Sequence, residues 1–568
     1  DGFSFAAPMI VAFEGGVDDS NLVHYSAYAD SVGDTSPTVI IDMTNGGRVV
    51  HFAELDLAAA ATPSRQALYL RPAARLHGGT RYAVGIRTSL KGKDGGPLPI
   101  SPGFEALLSG ASTNHPLLEK VRPRYVDIFA AFEAEGISRD ELVVAWDFTT
   151  ASDEYMRADL IAARDIAITE MGTAGANLTY TVGRTDPDGD PAIRWRIEGQ
   201  YDAPLFLTLD GRFNFNTTLA RDAAGVPEYQ GMYSSPFVAI VPECAYLPEN
   251  QPVGIIIYGH GLFGSAGEVG SSSQRLAAAT SCRVVIGTNL RGMSENDVGN
   301  TAIALNNLNK APNFFLVITQ GIINTIALEH IVRGPMAESL FVDDQNQSIV
   351  DPTDVVYYGN SQGHIFGATF VAYDPFITRG VLGVGGANYS MMLERSSDWP
   401  TYGVIMAGAY PDQLDQSIDL NLVQMYFDFT DPVGTANDIL TGGIPGTPPK
   451  QLMLHMAVGD HQVPNITTEF QARTMGIPVL TPTPYVPYGI TEATGPLAAG
   501  SSAMVIYDGG EGSGIQRGNV PPVGTEDPHG MPRKQPAAVR QMTRFWDTGE
   551  ITHECGDTAC FCYDGACD

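Results

Sequence analysis

The sequence predicts an α/β protein, a mostly parallel sheet with helices on both faces, preceded by a smaller β-sandwich. Asp354-Val355-Val356-Tyr357-Tyr358 has the β-branched and aromatic composition of a buried strand. It breaks at Gly359-Asn360-Ser361-Gln362-Gly363 and continues to Ala368 with small and apolar residues at helical spacing. Further continuous apolar runs between Val253 and Tyr507 alternate with helical stretches, as strands buried on both faces do. Residues 1 to about 110 instead alternate short strand-like runs with turn clusters, the pattern of an antiparallel sandwich.

Composition bounds what such a chain can be. Its 568 residues, 44% of them hydrophobic, are globular in character and call for roughly two or three domains. No run approaches the roughly 18 to 20 apolar residues of a membrane span, and Asp1-Gly2-Phe3-Ser4-Phe5 lacks the basic start and apolar core of a signal peptide, so a soluble, already processed chain is expected. With 33 Lys+Arg against 64 Asp+Glu, the net charge of −31 repels phosphate backbones and anionic membrane surfaces, which excludes nucleic acid as a partner.

Taken in order, Pro8–Phe13, Thr38–Met43, Arg48–Phe52, Ala67–Pro72 and Arg81–Ile86 read as strands, with Asn45-Gly46-Gly47 and His77-Gly78-Gly79 as turns. The stretch from Leu70-Arg71-Pro72 through Gly95-Gly96-Pro97-Leu98 resembles the bacterial Ig-like domains found beside secreted enzymes. That resemblance implies a binding, spacing or stabilising role for residues 1–112, which carry no catalytic cluster. Residues 113–169 read as a helical connection interrupted by one strand, Glu141–Phe148. Ile193–Gln200 and Pro236–Pro242 then alternate as antiparallel edge strands do. Val253–Tyr258, Arg283–Thr288, the strand before Ser361, Arg379–Val384, Gln451–Ala457 and Ala503–Tyr507 are the continuous runs of a parallel sheet.

Ser361 lies at the apex of a strand–turn–helix, where an unusual backbone conformation needs neighbours without bulk, and Gly359 and Gly363 supply them. With antiparallel strands leading into parallel ones and G-x-S-x-G at a strand end, residues 170–553 resemble the α/β-hydrolase superfamily. The resemblance implies Ser361 as nucleophile. The loop Gly259-His260-Gly261-Leu262-Phe263-Gly264 is similar to the H-G-x-x-G loop of bacterial lipases, which implies an oxyanion hole made by the N–H groups of Leu262 and Gln362, with Gly261 as a loop glycine. It implies an acid after a later strand, Asp460 in Val458-Gly459-Asp460-His461-Gln462-Val463-Pro464, with Asp431 and Asp508 as competitors and His461 as a loop residue. It implies a histidine between the last strand and the final helix, His529 in Glu526-Asp527-Pro528-His529. Ser361 Oγ should then lie within hydrogen-bond reach of His529, and His529 within reach of Asp460.

A cap is expected at about 388–449. Its Met391, Met392, Trp399, Tyr402, Met406, Tyr410, Met425, Tyr426, Phe427 and Phe429 would line a site for an acyl chain or hydrophobic polymer, or form the cap's own core. Cys555, Cys560, Cys562 and Cys567 crowd a tail at 554–568. Their C-x4-C-x-C-x4-C spacing lacks the C-x2-C pairs of common zinc sites and favours disulfides, hence an oxidising compartment: periplasmic, cell-surface or extracellular. Asp344–Ser348 and Asp186–Asp190 offer oxygen ligands for Ca²⁺ but read as polar turns, so no metal and no cofactor is expected.

Together these point to a secreted serine hydrolase of carboxylic esters of lipase or esterase type. A polyester depolymerase, a polysaccharide acyl esterase or a peptidase could use the same residues, and a scaffold protein with an idle hydrolase domain is the reading from another class. Ester chain length, oligomeric state and disulfide pairing stay open.

Overall fold

The structure is a computed structural model and describes residues 2–209, 216–510, 514–516, 518–523, 526–563, 565 and 567; part of the glycine-rich loop after the last predicted strand thus lies outside the described residues. The N-terminal unit contains β1 (Met9–Val11), β2 (Thr38–Asp42), β3 (His51–Leu55), β4 (Leu68–Pro72), β5 (Arg81–Arg87) and β6 (Leu142–Thr149). They form two small antiparallel sheets, β1-β4-β3 and β2-β5-β6, which share a core of Ile40, Ala53, Leu68, Leu70, Val84 and Val143. Helices α1 (Pro102–Ser109) and α2 (Pro116–Ala134) cover the second sheet through Phe104, Ile128, Phe129 and Phe132. One assignment differs from the sequence reading: β6, expected within a connecting segment, is the third strand of the β2-β5 sheet. Pairing follows burial rather than adjacency, and two helices packed on that same sheet separate β5 from its partner along the chain.

The large sheet runs β7 (Tyr180–Pro187), β8 (Ile193–Pro204), β9 (Met232–Pro242), β11 (Val284–Thr288), β10 (Val253–Gly259), β12 (Val350–Asn360), β13 (Arg379–Gly383), β14 (Gln451–Ala457), β17 (Ala503–Asp508), β15 (Val479–Thr481), β16 (Glu492–Thr494). Pairing is antiparallel from β7 to β11 and parallel from there on. A short β18 (Cys560–Phe561) adds beside β17. Strands β10, β11, β12, β13, β14 and β17 are the predicted runs, buried on both faces: in β10, Ile255 and Ile257 enter one core while Ile256 and Tyr258 enter the other.

Helices α3 (Asp153–Met171), α6 (Pro312–Arg333) and α8 (Gln362–Tyr373) pack on the first face, and α4 (Ser272–Ser281) and α14 (Pro536–Thr548) on the second, where Val539, Met542, Phe545 and Trp546 recur at helical spacing. The segment Leu308–Arg333 is the one stretch among the described residues long and apolar enough to cross a bilayer; nearly all of α6 lies inside the core, where its apolar residues meet strands rather than lipid.

Two insertions cover the carboxyl ends of the parallel strands. The first holds α5 (Val298–Asn306) and leads into α6, with α7 (Pro335–Ser339) after it. The second, between β13 and β14, holds α9 (Tyr389–Met392), α10 (Trp399–Ala409), α11 (Gln413–Leu422) and α12 (Gln424–Phe427), and α10 packs on α5; α13 (Asn465–Met475) follows β14.

The N-terminal unit grips this second insertion. Glu54, buried, accepts hydrogen bonds from both Arg71 and Arg395, and although burial works against its charge these two guanidiniums hold its carboxyl below the usual range. Ser417 donates to Asp56, and Phe5 N–H to Asp428. Disulfides join Cys244 to Cys282, Cys555 to Cys560 and Cys562 to Cys567. In the turn Asp186–Asp190, weighed as a Ca²⁺ loop, Asp188 is ion-paired with Arg275 and Asp190 accepts the Ala192 N–H.

Candidate active site

Strand β10 is where the sheet order reverses, with β11 on one side and β12 on the other, so the loops leaving β10 and β12 open a crevice at their carboxyl ends. Ser361 begins the second loop with φ 58° and ψ −123°, a conformation that L-residues adopt at a cost of order 1–3 kcal/mol. The strain is imposed by close packing. A Cβ on Gly363 would stand 2.1 Å from the carbonyl oxygen of Gly259, and one on Gly359 would stand 2.2 Å from that of Gly363. The Tyr357 hydroxyl fills the remaining space and donates to Gly363 O at 2.6 Å. The steric demand therefore falls on Gly359 and Gly363, as the sequence implies, and also on Gly259. Gly261 is looser: its nearest neighbour would be 3.7 Å away.

The loop after β10 is pinned on either side of Leu262. Gly261 N–H donates to Glu268 Oε2 at 2.9 Å, and Phe263 N–H to Met293 O at 3.0 Å. Glu268 Oε1 accepts in turn from the Tyr258 hydroxyl at 2.7 Å. His260, in the same loop, accepts from Leu290 N–H at Nε2, so Nδ1 carries the proton and donates to Gly261 O; burial lowers its pKa and keeps it neutral. The Leu262 N–H and the Gln362 N–H at the first position of α8 have no acceptor among the described residues. The Gln362 side chain bonds the Tyr389 hydroxyl, whose ring stacks on Phe427 at 4.0 Å.

Asp460 follows β14. One of its oxygens accepts Gln462 N–H at 3.0 Å and Val463 N–H at 2.9 Å, which fixes the carboxylate. His529 Nδ1 lies 2.9 and 2.8 Å from the two Asp460 oxygens, both residues are buried, and the link spans 69 residues of sequence. Because a carboxylate accepts, Nδ1 carries the proton, which leaves Nε2 as the basic nitrogen. Asp527 ties the two loops together, accepting from the N–H groups of His529 and His461 and from the Gln462 amide. Burial opposes its charge, but these hydrogen bonds hold its carboxyl below the usual range. The competing carboxylates are engaged elsewhere: Asp431 accepts from Asn388, Tyr389 and Val433, and Asp508 from Gly510.

Ser361 and His529 line one polar cleft with Gly261, Leu262, Glu268, Asp398, Gln462 and Arg533. No hydrogen bond joins Ser361 Oγ to His529 among the described residues; a direct contact of this kind commonly tightens only when substrate is bound. On its other side Ser361 faces an apolar cavity lined by Phe263, Met293, Phe314, Ile365, Met392, Trp399, Met406 and Phe427. Several cap residues named from the sequence line it, whereas Tyr410 instead hydrogen-bonds Leu308 N–H. Sequence reasoning missed the other wall, Thr301 to Phe315 of α5 and α6, and it missed Glu268, Asp398 and Asp527. A carboxylate one to two turns beyond a glycine loop, or just ahead of a histidine, is the only local signal these had.

No protein-family model matches the chain, and no curated protein matches it in sequence. Among solved structures, acetyl xylan esterase 1 from Thermoanaerobacterium sp. is similar at 13% identity and a TM-score of 0.33, over 62% of this chain and 88% of that one. The glucuronoyl esterase from Solibacter usitatus is similar at 10% identity and a TM-score of 0.31, over 59% and 82%. The acylaminoacyl peptidase from Pyrococcus horikoshii is similar at 13% identity and a TM-score of 0.31, over 65% and 48%.

Proposed function

We propose that this chain is a secreted serine hydrolase of carboxylic esters in the α/β-hydrolase superfamily, acting through an acyl-enzyme on Ser361. The observation that carries the reading is that His529, held from behind by the buried Asp460, lines the same cleft as the strained Ser361. Ser361 Oγ gives its proton to His529 Nε2 and bonds the carbonyl carbon, and the Leu262 and Gln362 N–H groups hold the oxyanion. The carbon–oxygen bond to the alcohol breaks and His529 returns the proton to that oxygen. Water then repeats the sequence on the acyl-serine and frees the acid. Asp460 keeps the imidazole in its productive tautomer and stabilises it when charged.

The apolar cavity beside Ser361 supports a hydrophobic acyl group as the part that esterifies the serine, whether in a small ester or a polymer. Three disulfides fit an oxidising compartment. The N-terminal Ig-like unit has a bracing role, since its contacts fall on the cap and on the helix after β14. A fluorophosphonate probe should label the wild type and spare Ser361→Ala, with p-nitrophenyl butyrate hydrolysis lost in parallel. An intact, folded sample that takes no label refutes the reading.

A further inference from the structure

We propose that the polar cleft holds the alcohol half of the ester, that this alcohol is a neutral polyol, and that Asp398 selects it by accepting a hydroxyl hydrogen bond. The inference rests on the catalytic reading above and names the substrate class it leaves open. His529, Glu268 and Arg533 line the polar cleft and not the apolar cavity, while Ser361 and Asp398 stand on the boundary and line both. The leaving oxygen takes its proton from His529, so it stands on the cleft side of the tetrahedral carbon and the acyl chain on the other.

The cleft's chemistry then describes the alcohol. Its walls carry both signs of charge, Glu268 and Asp398 against Arg533, with the hydroxyls of Ser397 and Thr401 between. A cationic alcohol would meet Arg533 and an anionic one the carboxylates. A neutral alcohol with several hydroxyls can donate to the carboxylates and accept from the guanidinium.

Asp398 is the acceptor without a partner. Both oxygens of Glu268 are engaged by Tyr258 and Gly261. The Asp398 carboxylate stands just ahead of α10 without capping it and has no hydrogen bond or ion pair among the described residues. Burial raises its pKa, as for a partly desolvated carboxylate lacking a donor. A ligand hydroxyl would supply that donor, and a site built around such a bond rejects analogues that lack it.

The test compares butyrate esters that differ only in the alcohol: glyceryl monobutyrate, ethyl butyrate, butyrylcholine and the butyrate ester of glycolic acid, followed by pH-stat on the full chain. The expected kcat/KM is at least about tenfold higher for the glyceryl than for the ethyl ester, with neither charged ester above ethyl. In Asp398→Asn and Asp398→Ala the glyceryl-to-ethyl ratio should fall toward one. A wild type with no glyceryl preference, a preferred choline or glycolate ester, or a ratio unchanged in both variants overturns the proposal. Hydrolysis of ethyl butyrate that disappears in Ser361→Ala keeps the catalytic reading whichever way the ratios fall. Hydrolysis of no ester at all sinks both.

Discussion

Replacing Glu268 should slow the chemistry without weakening substrate binding. Its carboxylate holds the Gly261 N–H at 2.9 Å and the Tyr258 hydroxyl at 2.7 Å, and so sets the path of the loop that presents the Leu262 N–H. Glu268→Ala leaves both donors without an acceptor and lets the loop relax. The ceiling on the effect is loss of one oxyanion donor, about 10² to 10³ in kcat. Glu268→Gln keeps one carbonyl acceptor and loses the charge. A hydrogen bond to a charged acceptor is worth about 1.5–3 kcal/mol against about 1 for a neutral one, which sets the Gln variant about tenfold below wild type. Because the oxyanion forms only in the transition state, KM should stay within about threefold while kcat falls, and a trifluoromethyl ketone analogue should weaken in proportion. Steady-state kinetics on p-nitrophenyl butyrate, with thermal melting as a check on folding, measures this. A folded Glu268→Ala enzyme with wild-type kcat, or a loss confined to KM, would refute the positioning role.

Gly363→Ala should cost about 3 kcal/mol or more, since its Cβ would have to stand 2.1 Å from the carbonyl of Gly259 in a buried contact between backbones; a urea midpoint equal to wild type would contradict the packing described. His455, buried with Nε2 against Gln541 Oε1 and its pKa lowered to about 4, makes a pH-dependent contribution. The unfolded imidazole protonates near 6.5, so the stability it supplies is complete above that pH and is lost as the pH falls toward 4, to a limit of order 3 kcal/mol. Wild-type and His455→Gln urea midpoints should therefore converge between pH 7 and 4.5, and curves that stay parallel would rule out the assignment.

Much of the large sheet was legible because each buried strand has its own local signal: β-branched and aromatic residues between turn formers. The elbow was legible for a similar reason, since the bulk a strained turn excludes is excluded at neighbouring positions, Gly359 and Gly363. Chain order then pointed to His529 and favoured Asp460 over two competing carboxylates. The edge strands β7 and β16 passed unnoticed because they bury too little to need a strong pattern, and β15 because three residues are too few to show one.

The sequence by itself thus determined which runs are the buried strands of the parallel sheet and which loops follow them. Tertiary structure alone decided that β6 joins the β2-β5 sheet, that Gly259 must be bare because the Tyr357 hydroxyl and the Gly363 backbone crowd it, and that Asp460 rather than Asp431 or Asp508 meets His529. It also decided that Glu268 steadies one loop and that Asp398 faces the cleft with no partner among the described residues. The physical reason is range. Backbone conformation and burial period are set by residues a few positions apart, whereas these contacts join segments far apart in the chain, whose meeting depends on how the two faces of the sheet pack.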